Sequence, residues 1–283
     1  HIQQRLLDAD ADDFLAKPFD PAELLARVKL LLRQRQRQAA QIQALARARR
    51  QGEQQMPYVG DRIGEYVIAD TLGWGKSAVV FKVSDPRSGE IRAIKMLTRH
   101  AAQFPDVVTR FRNEARLMNS IRHPNVLALH HAGEFNHCPY LVLEYFPGID
   151  LEEYVVTRGR PSLERFRQLV WDLAEALHAI HQAGVVHRDV KLKNILIVPL
   201  TSRIKISDFG IALAEDSPHV TQDGYLVGTP LYMAPELFTG DPATVRSDIY
   251  AYGATLYHLL AGMPPFIAEQ ATALYRQHRD LAP

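Results

Sequence analysis

The chain has one cysteine in 283 residues, Cys138, so it cannot hold an internal disulfide, and that scarcity fits a reducing compartment. It also lacks any long uninterrupted apolar run. The richest stretch, Ile249 to Phe266, is broken by His258, Gly262, Pro264 and Pro265. It reads as a buried helix followed by a turn, not a bilayer span. No secretory signal pattern opens the sequence. Neither sign of charge dominates: 33 Lys and Arg against 32 Asp and Glu leave a net charge of +1. That balance argues against a protein drawn as a whole to nucleic acid. Internal repeats are missing as well. What is present, 47% hydrophobic and 23% charged residues, is ordinary globular composition with room for about two domains. These features predict a cytoplasmic protein with no membrane segment and no nucleic-acid partner. The sequence opens on His1 inside a helical pattern, as a piece of something longer would.

Residues 1–33 read as a strand, Asp13-Phe14-Leu15-Ala16, then Lys17-Pro18-Phe19, where Pro18 confines Lys17 to extended geometry. Asp20 and Pro21 form an N-cap and first helical position, and Leu24, Leu25, Val28, Leu31 and Leu32 make the apolar stripe of the helix that follows. The stretch resembles the last strand and helix of a response-regulator receiver domain; an unrelated βα piece is the alternative. The resemblance implies that Lys17 contacts a phosphoryl group, that Phe14 is a rotameric switch, and that an upstream histidine kinase is a partner in two-component signalling. The phospho-acceptor would precede His1. Residues 34–57 then read as a basic helical linker. From Glu23 to Glu53 no acid intervenes, while eight Lys or Arg do. Three readings stay open: a solvated spacer, a parallel dimer helix using Leu24, Val28, Leu31, Ile42 and Leu45, and a basic patch for acidic partners.

From residue 58 the pattern changes. Short β-rich runs (Tyr66–Leu72, Val79–Val83, Ile91–Lys95) give way to longer helical periodicity, which predicts α+β organisation rather than alternating α/β. Leu72-Gly73-Trp74-Gly75-Lys76-Ser77-Ala78 is a glycine-rich turn of a kind that lets backbone approach phosphate. Ala93-Ile94-Lys95 follows at strand spacing, and Glu114 lies in the amphipathic segment Arg110–Met118. Further on come His187-Arg188-Asp189-Val190-Lys191-Leu192-Lys193-Asn194 and Asp208-Phe209-Gly210, separated by the apolar runs Ile195–Val198 and Ile204–Ile206. Two acids and an amide on turns around such a hairpin offer oxygen ligands to a hard cation beside a phosphate ester.

This order of motifs resembles that of eukaryotic-type (Hanks-type) bacterial serine/threonine protein kinases. The resemblance implies a bilobal fold over 58–283, with a β-rich lobe at 58–144 and a helical lobe at 145–283 that is incomplete at its end. It implies ATP and Mg²⁺ (or Mn²⁺) as cofactors and a Ser/Thr hydroxyl of a protein as acceptor. Asp189 is then the catalytic base, Lys191 neutralises the moving phosphoryl group, Asn194 and Asp208 hold metal, and Lys95, paired with Glu114, holds the α- and β-phosphates. Backbone of Glu144 and Phe146, after gatekeeper Leu143, would meet adenine in a slot formed with Leu72, Gly73, Gly75, Val80, Ala93 and Leu196. Asp150 would meet the ribose. Arg188 is the form associated with activation-loop phosphorylation, with Thr221 the expected autophosphorylation site and Thr229 facing the substrate. Asp248 would tie down the catalytic loop, and Met118, Leu129, His187 and Phe209 would form an apolar column. The family departs here at Ala78, where a third glycine is usual, and at Leu192, where proline is common. Further helices past Pro283 are implied, and without them the exposed helical faces predict an unstable, poorly active piece.

Overall fold

Period-two burial organises the first half of the described structure. In the computed structural model, residues 56–208, 230–268 and 270–283 are described. The chain divides into two compact units, His1–Met56 and Pro57–Pro283. Phe14, Lys17, the receiver-like segment and linker residues 34–55 lie outside the described residues, as do Phe209, Thr221 and Thr229.

Six antiparallel strands form the main sheet: β1 (Arg62–Ile63), β2 (Tyr66–Trp74), β3 (Ala78–Ser84), β4 (Ile91–Leu97), β5 (Leu129–Phe135) and β6 (Cys138–Glu144), in the spatial order β1-β2-β3-β4-β6-β5. In β3 the alternate residues Val79, Phe81 and Val83 are buried. Strand β6, flanked by β4 and β5, is buried from Cys138 to Leu143 and reads as a continuous apolar run. Strand β2 runs two residues further than its sequence pattern predicts, because Gly73 and Trp74 still pair with Val80 and Val79 across a register shift. Between β4 and β5 lie α1 (Arg99–Ala102) and α2 (Pro105–Asn119). Proline opens α2 where no donor is needed, and Phe111, Glu114, Ala115 and Met118 face inward at helical spacing.

The second half is mainly helical: α3 (Leu151–Arg158), α4 (Leu163–Gln182), α5 (Pro235–Phe238), α6 (Val245–Ala261) and α7 (Ala271–Asp280). A small sheet of β7 (Ile149–Asp150), β8 (Ile195–Ile197) and β9 (Ile204–Ile206) sits among them. Ser162 caps α4, and Leu169, Leu173, Ala176, Leu177 and Ile180 form its buried stripe. Burying each leucine of that kind contributes about 1.5–3 kcal/mol. Helix α6 begins with a reciprocal capping box between Thr244 and Ser247 and ends at Gly262, whose φ of 81° is the left-handed conformation that glycine tolerates. The sequence pattern makes α6 a buried helix, and one face is. Ser247, Asp248, Ala251, Thr255, His258 and Leu259 are inside, while Ile249, Tyr257 and Leu260 are exposed. No helix among the described residues is long and apolar enough to cross a membrane.

Helices α6 and α7 each bury one histidine. His258 Nδ1 is 2.7 Å from the Tyr232 hydroxyl, and His278 Nδ1 is 2.6 Å from that of Tyr250. Burial holds both pKa values down at about 4. An unfolded histidine titrates near 6.5, so between about 6.5 and 4 the unfolded chain binds more protons. The histidine contribution is therefore complete above that window and is lost as the pH falls through it. The melting temperature is expected to drop between pH 6.5 and 4, and His258→Gln should flatten the drop. An equally steep drop in that variant would exclude His258 as a cause.

Candidate active site

Four separate elements meet in one cleft. Lys95 stands mid-strand in β4, paired with Leu141 of β6 on one side and Val80 of β3 on the other. Its Nζ lies 2.7 Å from Glu114 Oε1 of α2 and 2.7 Å from Asp208 Oδ1 after β9. Burial alone would discharge this ammonium, but the two carboxylates overcome it and raise its pKa above the ordinary lysine value. Lys95, in turn, is the main cause holding the Asp208 carboxyl below its usual range. Burial raises the Glu114 pKa, against the pull of the Lys95 ammonium. Such a triad holds a cation-bearing strand, a helix and a loop at fixed spacing.

Beside it, the turn after Val190 gathers the second cluster. Lys191 Nζ lies 2.6 Å from Asp189 Oδ2. A single 3₁₀ turn, Leu192–Asn194, buries Leu192 and Asn194. Leu192 thus fills the loop where proline is common in the resembling family. The Asn194 amide donates to both the carbonyl and Oδ2 of Asp189, each at 2.8 Å, and reaches the Asp208 carbonyl at 3.5 Å. With its nitrogen occupied by donation, Asn194 offers its Oδ1, and Asp208 offers its second carboxylate oxygen. Two hard oxygens from neighbouring loops fit Mg²⁺, which keeps waters and phosphate oxygens for its remaining positions.

Two of these residues hold unusual backbone. Arg188 and Asp208 have φ of 69° and 52°, the left-handed region that side chains seldom adopt. Asp248, at the start of α6 and buried, stabilises the first: its carboxylate accepts from the His187 and Arg188 amides at 2.7 and 2.8 Å, and His181 Nε2 lies 2.8 Å away. Seven residues on, Thr255 Oγ1 reaches the Val190 carbonyl at 3.3 Å. His187 is fully buried, and burial keeps it neutral by lowering its pKa. Met118 and Leu129 are buried too.

Above this chemistry lies a cavity of about 550 Å³, lined by Leu72, Gly73, Val80, Ala93, Lys95, Glu114, Leu143, Glu144, Phe146, Asp150, Leu196, Asn194 and Asp208 among others. Aliphatic walls from both lobes make a flat apolar slot with charge at one end. Phe146 N–H has no backbone partner among the described residues, whereas its carbonyl accepts from Gly148 at 2.8 Å. Gly148 packs so closely that a Cβ would come within 2.5 Å of the Ile197 carbonyl. Asp150 Oδ1 caps α3 by accepting from the Glu153 amide at 2.7 Å, and the residue lines the cavity. Burial raises its pKa. Gly75 is not among the lining residues, and its N–H donates to the Ala78 carbonyl at 2.8 Å, closing the β2–β3 turn.

Sequence reasoning brought Lys95, Glu114, Asp189, Lys191, Asn194 and Asp208 to one place by motif, and the fold gathers them there. It missed His181, Thr255 and the two-residue strand β7. Their partners lie 45 or more residues away in the chain, so no local spacing marks them.

A family model described as protein kinase domain matches residues 66–282. Serine/threonine-protein kinase PknB of Mycobacterium leprae is 38% identical over 227 residues, 78% of this chain and 36% of that protein. PknA of Mycobacterium tuberculosis is 36% identical over 228 residues, 78% of this chain and 53% of that protein. The chain thus spans about a third to a half of the length of these relatives. A solved mutant of the PknI kinase domain of Mycobacterium tuberculosis superposes with a TM-score of 0.60 at 29% identity, over 75% of this chain and 80% of that one.

Proposed function

The chain belongs to the protein kinase family, and from that premise we propose that it transfers the γ-phosphoryl group of Mg-ATP to Ser/Thr hydroxyls of proteins. The observation that carries this reading is the Lys95–Glu114–Asp208 triad, 2.7 Å on each side, next to the Asp189–Lys191–Asn194 cluster. Asp189 would orient the incoming hydroxyl and take its proton. Lys191, now on the Asp189 carboxylate, is placed to follow the negative charge of the phosphoryl group as it moves. ATP would enter with its base between Val80, Ala93 and Leu196 and its ribose near Asp150. Asn194 and Asp208 would hold Mg²⁺ (or Mn²⁺), which when bound neutralises the phosphate oxygens. No covalent intermediate is required; positioning and electrostatics carry the rate.

Regulation follows from Arg188. Its amide is fixed by Asp248, and its guanidinium makes no ion pair among the described residues. A phosphate on the 211–229 segment would supply one. Thr221 is the proposed acceptor, with Asp223 as a constant partial mimic and Thr229 near the substrate. The test is incubation with labelled ATP, Mg²⁺ and a protein substrate, beside an Asp189→Asn control. Label should enter substrate and Thr221 in the parent and neither in the control. Phosphate confined to Ser217, or lying outside 211–229, would refute the Thr221 assignment. Label surviving in the control would refute the base assignment.

The receiver-like residues Lys17 and Phe14 support a further proposal, that an upstream histidine kinase acts through residues 1–33 and that the linker joins two copies. Light scattering on the whole chain tests the second part, since a monomer at all concentrations excludes it.

A further inference from the structure

Lys205 lies outside the cavity lining, yet it joins the two walls of that cavity. It stands in β9 directly opposite Leu196 of β8. Cross-strand partners share a face of the sheet, and Leu196 lines the cavity floor. From this position the ammonium reaches the other lobe. Its Nζ is 2.8 Å from Glu144 Oε2 and donates to the carbonyls of Pro124 at 2.8 Å and Val126 at 3.4 Å. An ammonium has three N–H groups, and each finds an acceptor here.

Glu144 is the residue at which the sheet lobe passes into the helical one, and it is itself held on two sides. Its amide donates to the Ala128 carbonyl at 2.9 Å, and its Oε2 accepts from the Ala128 amide at 3.4 Å. The segment beside it is fastened to β9 by further bonds besides those of Lys205. Asn125 donates to the Ile204 carbonyl at 3.2 Å, and Leu127 and Asn125 exchange backbone bonds with Ile206 at 2.9 and 2.7 Å. Lys205 is what extends this fastening to the cavity edge. Its side chain is only 12% exposed and that of Glu144 31%. A pair so withdrawn from water is screened less than a surface pair, and losing one partner leaves the other poorly solvated.

We propose that Lys205 is a positioning residue for the adenine nucleotide. Acting through Glu144, it fixes the height of the edge Glu144–Phe146 above Leu196, and so the width of the slot. The inference rests on the nucleotide assignment above. A flat base touches both walls, and a gap of even 0.5–1 Å forfeits a quarter to a half of each dispersion contact.

The test uses the whole 283-residue chain, with a fluorescent ADP analogue titrated for affinity and KM measured separately for ATP and for the protein substrate. Lys205→Met keeps the apolar stem and removes the ammonium. The Kd for the ADP analogue and the KM for ATP should both rise about tenfold, the scale of one charge-assisted hydrogen bond. The KM for the protein substrate should stay put, and Lys205→Arg should restore most of the affinity. In a Glu144→Gln background the Lys205→Met change should add less than about twofold, since both remove the same contact. Unchanged nucleotide affinity in Lys205→Met overturns the proposal. So does a parallel rise in both KM values, which marks general loosening. A parent that binds the ADP analogue but transfers no phosphate would sink the kinase reading alone, because the affinity comparison still decides the role of Lys205. A parent that binds no adenine nucleotide would sink both.

Discussion

Asp208→Asn should lower phosphoryl transfer by about three orders of magnitude or more, some 4 kcal/mol of transition-state stabilisation. The substitution leaves the shape almost unchanged, and asparagine tolerates the left-handed backbone that this position needs. What disappears is the full negative charge, and with it the stronger of the two proposed metal oxygens. Lys95 keeps Glu114 at 2.7 Å, so the strand and helix stay joined. The Asp208 side chain is about half exposed, and an ion pair in that setting adds only about 0–1 kcal/mol to stability. The melting temperature should therefore move by a few degrees at most while activity collapses. Transfer rates measured over a Mg²⁺ titration decide the matter. Activity within tenfold of the parent at saturating Mg²⁺ would remove Asp208 from the metal site.

Asp248→Ala should do the reverse and act first on stability. The carboxylate is buried and accepts from the His187 and Arg188 amides, with His181 alongside. Without it, two backbone donors are left in the interior and the strained φ of Arg188 loses its restraint. Breaking a buried network by removing one partner costs about 3–5 kcal/mol. For a unit of this size that is on the order of a 10 °C fall in melting temperature. Transfer should fall too, because Asp189 follows directly on Arg188. Asp248→Asn restores the volume and one acceptor and should land between parent and alanine variant. An alanine variant melting within about 2 °C of the parent would show that the loop around Arg188 holds its geometry without Asp248.

Much of this site was legible because its chemistry lies in short spans. Asp189, Lys191 and Asn194 fall within six residues, and the spacing that marks them also forms the single 3₁₀ turn that joins their side chains. Glu114 was legible for a different reason. The resemblance puts an acid at this place in the amphipathic segment Arg110–Met118 as partner of Lys95, and the structure places it on the buried face of α2. For Gly75 the glycine-rich run shows that backbone can come close to a ligand but not which amides remain free. Two of its neighbours continue the β2 ladder, and its own N–H closes the turn.

The sequence by itself determined the residue types at the chemical centre, the order of the strands and helices that carry them, and the absence of a disulfide framework. Those follow from local periodicity and from motifs whose members are near neighbours in the chain. Only the tertiary structure decided that Thr255 reaches the Val190 carbonyl from 65 residues away, that Asp208 and Glu114 share one lysine, and that Lys205 reaches across to Glu144. The physical reason is that a buried charge is specified by its partners, and a folded chain chooses those partners by proximity in space.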